Sequence, residues 1–216
     1  MSGYRPVTDC MIMGRPKYKY HGHFPAGFLE RARYLLGCTC PDEGIWHVCS
    51  GAVKFYNKSD GFIKLSGYNK KYDVCLDIDA NTKPDIIYDV REMDKIKRNG
   101  NNRLRIPQRA IKWEHKGNWQ NGFHASESFD RPKAMLIDRP YDEENAAKYL
   151  CGPDVLPDLN KLTRDCLELV KPGGLVGTLD YKWPSPGQDY KELFAGSVGT
   201  GRKNNARWFI VWQKRK

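Results

Sequence analysis

The sequence predicts an α/β domain: a mostly parallel, seven-stranded sheet with helices on both faces and an antiparallel hairpin at its C-terminal end. Three observations carry this expectation. Short apolar runs of strand length alternate with helical patterns, the order that builds parallel sheets. Several of these runs stop at Ser-Gly or at aspartate, and parallel sheets bind ligands beyond such strand ends. The last two runs flank a loop bearing glycine and asparagine, as in a hairpin. A chain of 216 residues suits one such domain with an arm.

The elements follow in order. Residues 1–23 are polar, basic and aromatic, and are expected to form an arm; they hold no apolar secretory core. Over 26–37, Phe28, Ala32, Leu35 and Leu36 make one apolar helical face, which Gly37 ends. Strands are expected at 44–52, 72–79, 85–90 and 134–138. A second helix is expected over 156–170, with Leu159, Leu162, Cys166 and Val170 on one face and Lys-Pro-Gly-Gly behind it. Residues 175–181 form the fifth strand, and 191–198 with 206–213 the closing hairpin. The domain is thus expected to span 24–216. Residues 91–133 interrupt it with a connection far longer than an ordinary crossover.

Composition narrows the function. Apolar residues at 40% and aromatics at 12% describe a globular chain. No apolar stretch reaches the roughly 20 residues that span a bilayer, and an intracellular, cytoplasmic location is expected. The net charge of +10 attracts polyanions, nucleic acid foremost. Between Lys95 and Lys116 there are eight Lys/Arg residues and one acid, Glu114, with aromatics interleaved. Cations neutralise phosphates while aromatics stack on unpaired bases. Lys97, Arg98, Arg103, Arg105, Arg109, Lys112 and Trp113 are therefore the candidate nucleic-acid contacts; the alternative is a charged loop whose aromatics cover the sheet. The seven cysteines are expected as free thiols, with Cys49, Cys75 and Cys166 as small core residues. His21, His23, Cys38 and Cys40 have donor types that suit zinc, but not the common spacing, and no metal is expected.

The segments Val-Cys-Ser-Gly-Ala-Val (48–53), CLDIDANTKPDIIYDV (75–90), LIDRPY (136–141) and CLELVKPGGLVGTLDY (166–181) come in an order that resembles the class I S-adenosylmethionine-dependent methyltransferases. The likeness is greatest to small adenine-specific (N6) DNA methyltransferases of phages and prophages, and it covers about 24–212 outside the basic insertion. It implies a Rossmann-like fold and S-adenosylmethionine as cofactor. Ser50 and Gly51 would lie against the methionine part of the cofactor, where small residues let backbone approach. Asp77, or Asp79 two residues on, would accept the ribose hydroxyls. Asp89 would face the cofactor's adenine. In turns all three acids also cap backbone, which is the ordinary reading of aspartate there.

By the same resemblance Asp138 accepts the target amine, Pro140 shapes the turn and Tyr141 stacks on a base taken out of its helix. The family tetrapeptide is Asp-Pro-Pro-Tyr; here Arg139 replaces the first proline. Arg139 has three expected states: paired with Asp138, bound to a phosphate, or turned to solvent. The glycines 196, 199 and 201 lack the order of a phosphate loop and belong to the hairpin turn, while Arg202, Lys203 and Arg207 extend a basic surface. Three functions are compatible with these residues: methyl transfer to adenine in DNA or RNA, a nucleic-acid-binding or assembly subunit with impaired catalysis, and methyl transfer to a non-nucleic-acid substrate.

Overall fold

The computed structural model describes residues 7–13, 24–25, 27–40, 42–51, 53, 68–69, 71–100, 102–107, 112–115, 118–121, 128–140, 156–199 and 206–215. Its centre is a mixed sheet of eight strands. These are β1 (Val7–Ile12), β2 (Ile45–Val48), β3 (Val74–Asp77), β4 (Ile86–Ile87), β10 (Ala134–Ile137), β11 (Leu175–Asp180), β12 (Tyr190–Gly199) and β13 (Arg207–Lys214). Their spatial order is β1-β12-β13-β11-β10-β2-β3-β4, and only β13 runs against the others.

Seven strands were expected and eight are present, because Val7–Ile12, assigned to the arm, pairs in parallel with β12. The reason is legible in retrospect: Met11 is buried while Thr8, Asp9 and Cys10 are exposed, so one edge strand covers the hairpin with few apolar contacts. The segment 85–90 holds only two strand residues before it tightens into a 3-10 turn, Val90–Lys95, capped by Asp89.

Strand alternation divides the core into two clusters. Met135 and Ile137 belong to one, Ala134 and Leu136 to the other; Trp46 and Val48 part from Ile45 in the same way. Helix α1 (Phe28–Leu35) sends Phe28, Leu29 and Ala32 into the second cluster, where Phe28 meets Phe209 edge-on at 5.1 Å. Gly177 lies beneath that ring, where a Cβ would come within 2.8 Å of it. Helix α2 (Leu159–Leu169) sends Leu162, Cys166 and Leu167 into the first cluster. Asp158 caps its start by accepting from the Lys161 amide at 2.6 Å, an interaction worth about 1 kcal/mol. At its end the Arg131 guanidinium donates to the carbonyls of Glu168, Leu169 and Val170, placing a cation where the helix dipole is negative.

The long connection between β4 and β10 is built from β-structure. Strands β5 (Lys97–Asn99), β6 (Arg103–Arg105) and β9 (Ser128–Asp130) form a small antiparallel sheet, and β7 (Lys112–His115) pairs with β8 (Asn118–Asn121). Leu104, Ile106 and Phe129 fasten it to the α2 side of the core, with Phe129 edge-on to Trp46 at 5.8 Å. Lys97 and Arg105 are cross-strand partners, and so are Arg98 and Leu104. Leu104 is buried, so Lys97, Arg103 and Arg105 share the outer face and Arg98 takes the inner one. Arg109 and Tyr141 lie outside the described residues, as do His21 and His23; of Lys112 and Trp113 only the backbone in β7 is described. Among the described residues no helix is long and apolar enough to cross a membrane.

Candidate active site at the switch in strand order

From β2 the chain builds outward through β3 and β4, then returns to the other side of β2 with β10 and β11. The reversal lies at the C-terminal ends of β2 and β10, the place where open α/β sheets hold ligands. Four of the expected site positions meet there. The Asp138 amide donates to the Val48 carbonyl at 3.2 Å, so the turn after β10 lies directly against the turn after β2. The Ser50 amide donates to the Leu76 carbonyl at 3.0 Å, and the Gly51 amide donates to Asp77 Oδ2 at 2.7 Å. Asp77 Oδ1 accepts the Asp79 amide at 2.8 Å. One carboxylate thus ties together the ends of two neighbouring strands.

The turn itself is unusual. Cys49 and Gly51 both have left-handed backbone, at φ 58 and 51. Gly51 accepts this freely, whereas Cys49 is held there at a cost of roughly 1–2 kcal/mol. A Cβ at Gly51 would meet no described atom within 4 Å, and Ser50 Oγ is buried with no hydrogen-bond partner among the described residues. Open backbone beside an orphaned hydroxyl is a feature that fits a polar ligand such as S-adenosylmethionine. Burial pushes the Asp77 carboxyl up to about 6, against the hydrogen bonds from the amides of residues 79, 51 and 78 that pull it down. Burial also raises the Cys49 thiol well above its ordinary value, with the nearby Asp77 and Asp138 charges adding to it. Asp79 accepts the Asn81 amide at 2.8 Å, and Asp89 holds both the Arg91 amide and the Arg91 guanidinium. The three acids therefore also perform the backbone capping that turns ask of aspartate.

Beyond β10 the structure decides what the sequence left open. Arg139 is buried, and its Nε lies 2.9 Å from Asp180 Oδ2 at the end of β11. It is neither paired with Asp138 nor turned to solvent. Among the described residues neither atom has a partner that satisfies hydrogen-bond geometry, so the contact is an ion pair without a directed N–H bond. This guanidinium also donates to the Pro140 carbonyl, at 3.1 Å. Asp138 pairs instead with Arg207 NH1 at 3.3 Å, both side chains being 8% exposed. Arg207, expected on a basic surface, is therefore a buried residue of this site. Burial pushes the Asp138 carboxyl up to about 7; the Arg207 charge opposes this and Asp180 adds to it. Asp180 is raised too, by burial first, while the Lys182 amide and Arg139 pull it down.

Asp180 and Arg207 were missed as site residues. The only local signal was that Asp180 ends an apolar run, as Asp77 and Asp138 do. Beside them stand exposed aromatics: Trp208 is the cross-strand partner of Asp180, and its ring lies 5.0 Å from that of Trp183. Cys38 is buried with its thiol near the Leu36 carbonyl, and Cys40 is exposed. Replacing Arg139 by methionine would leave the buried Asp180 carboxylate without its cation, and is expected to cost about 3–5 kcal/mol of stability. Urea midpoints of Arg139→Met, Asp180→Asn and the double variant measure this. A double variant whose loss equals the sum of the two single losses would show that the pair is not coupled.

The mostly parallel sheet with its antiparallel hairpin is similar to a methyltransferase fold. The chain is similar in structure to TrmN from Thermus thermophilus, a tRNA methyltransferase, with a TM-score of 0.50 and 12% identity over 90% of this chain. The match spans 50% of the length of that protein, and at this identity the likeness is one of fold. No protein-family model matches the chain, and no curated protein matches it in sequence.

Proposed function

We propose that the protein transfers a methyl group from S-adenosylmethionine to the exocyclic amine of adenine in a nucleic acid. The observation that supports this most directly is the meeting of Ser50, Gly51, Asp77 and Asp138 at adjacent strand ends, tied by the 3.2 Å and 2.7 Å hydrogen bonds of Asp138 and Gly51. Ser50 and Gly51 would lie along the methionine part of the cofactor, Asp77 or Asp79 would take the ribose hydroxyls, and Asp89 is one strand further on. The cofactor, when bound, supplies an electrophilic methyl carbon.

The chain's own part is positioning and proton handling. Asp138 accepts an N–H of the target amine and so turns the nitrogen lone pair toward the methyl donor. With a carboxyl titrating at about 7, it also holds the proton that the amine loses. The amine has to share this carboxylate with Arg207. Trp183 and Trp208, 46% and 38% exposed beside Asp180, offer stacking surface to an unpaired base. DNA remains the first substrate to test and RNA the second.

A second reading has its own observation. Arg139 stands where the related tetrapeptide has proline, and with Arg207 it fills the acceptor region with charge, as in a methyltransferase fold that binds nucleic acid without turnover. One experiment separates the two. Purified protein is expected to melt at higher temperature with S-adenosylhomocysteine, and to transfer labelled methyl to DNA or RNA that yields N6-methyladenosine nucleosides on digestion. Stabilisation without transfer would favour the binding protein; neither effect would end the methyl-transfer reading.

A further inference from the structure

At the opposite end of the sheet, where the parallel strands begin, the structure has a cavity of about 480 Å³, within the range of ligand clefts. Its polar lining is almost all cationic: Arg98, Arg131, Lys171, Lys191, Lys214 and Arg215 against the single carboxylate of Glu168. That carboxylate is already committed. It takes Lys214 Nζ at 2.6 and 2.7 Å and the Tyr190 hydroxyl at 2.9 Å, and Arg98 lies 3.6 Å away. Arg131 is spent on the carbonyls that end α2, and Arg215 donates to the Tyr190 carbonyl at 3.1 Å. For Lys171 and Lys191 no ion pair is found among the described residues. Like charges gathered in a concave, low-dielectric wall focus a field that attracts an anion.

The cations do not stop at the cavity rim. Arg98, on the inner side of β5, belongs to the lining, while Lys97, Arg103 and Arg105 stand exposed on the outer face of the same small sheet. A small anion would use the cavity alone. A chain of phosphates would use both.

We propose that this cavity and the outer face of β5–β6 form a second nucleic-acid site, one that holds the phosphodiester backbone at the end of the sheet away from Asp138. The site rests on the nucleic-acid part of the function proposed above and not on methyl transfer. It contacts phosphate and not bases, so it is indifferent to sequence and sensitive to salt. It supplies a sequence-indifferent grip on a polyanion.

The test is the affinity of fluorescent DNA and RNA oligonucleotides across a salt series, for wild type and for Lys171→Glu/Lys191→Glu. The double variant is expected to bind at least tenfold more weakly. Its slope of log affinity against log salt is expected to flatten by about one for each phosphate that the variant no longer neutralises. Arg103→Glu/Arg105→Glu is expected to do the same from the other end of the track. Should the charge reversals unfold the protein, Lys171→Gln/Lys191→Gln gives the same readout, with a smaller expected effect. Unchanged affinity and slope in a folded lysine variant overturn the proposal. So does a cavity that takes inorganic phosphate, shown by a thermal shift that vanishes in that variant, while the variant keeps wild-type oligonucleotide binding. Wild type that binds no oligonucleotide also overturns it. Weakened oligonucleotide binding in a protein that ignores S-adenosylhomocysteine sinks only the methyl-transfer reading.

Discussion

Asp138→Asn is expected to keep S-adenosylhomocysteine binding and to lose methyl transfer by about 10²- to 10³-fold, the usual effect of removing one preorganised hydrogen-bonding group from an active site. Asparagine keeps the size of the side chain and an oxygen for Arg207, so the loss reports the carboxylate and not a hole. Alanine is the poorer probe, because Arg207 would be left buried without its partner at a cost of about 3–5 kcal/mol. The same residue sets the pH dependence. Burial raises its carboxyl to about 7 in the folded protein, whereas an unfolded aspartate titrates near ~3.9. Methyl transfer should therefore rise with pH through about 7 as the acceptor ionises. Stability runs the other way. The folded state holds this proton more tightly, so the group's contribution is fully present below ~4 and is lost as pH rises through the folded value. A pH–rate profile and a series of melting temperatures check both, and Asp138→Asn should flatten both. A mutant that transfers methyl at the wild-type rate would remove Asp138 from the site.

Asp73→Asn is expected to be among the most destabilising single changes in the molecule, by about 3–5 kcal/mol, the usual result of stripping a buried ion pair of one partner. The Asp73 side chain is 0% exposed. It takes Arg33 NH2 on both oxygens at 2.5 Å, the Ile45 and Asn69 amides at 2.9 and 2.7 Å, and lies 3.2 Å from His47 Nε2. These partners fasten α1 to the starts of β2 and β3, at the end of the sheet away from Asp138. Burial alone would raise the carboxyl, but the His47 hydrogen bond and charge, then Arg33 and the Asn69 amide, outweigh it and hold it below the ordinary carboxylate range. The sign is thus opposite to that of Asp138: the stability from Asp73 is present above ~3.9 and is lost as pH falls through the depressed folded value. Urea unfolding of wild type and Asp73→Asn at pH 7 and at progressively lower pH measures both the loss and its decline in acid. Equal midpoints at pH 7 would show that the network is idle.

These two aspartates show why sequence reached one and not the other. Asp138 ends a four-residue apolar run, and a strand end is a local feature that composition and spacing reveal. Asp73 lies between a polar loop and a strand and looks like any turn residue. Its importance comes from Arg33, 40 positions away, and Ile45, 28 away. The helical faces of α1 and α2 were readable for the same local reason, since a period of 3.6 is written in neighbouring residues. Strand β1 was not, because a single half-exposed edge strand carries little apolar signal and sat within a basic stretch. The β-structure of the 91–133 insertion was also missed, since its strands are only three or four residues long.

The sequence by itself determined the mixed α/β character, the chain turns at Gly51, Asp77 and Asp138, and the strong positive charge, because each is a property of a short window or of a sum. Only the tertiary structure decided which charge faces which. It gave Arg139 to Asp180 and Arg207 to Asp138, and it gathered Lys171, Lys191 and Lys214 around one glutamate. Which buried ion pairs form depends on the order of strands in the sheet, and β10, β11 and β13 come together only when the whole sheet has formed.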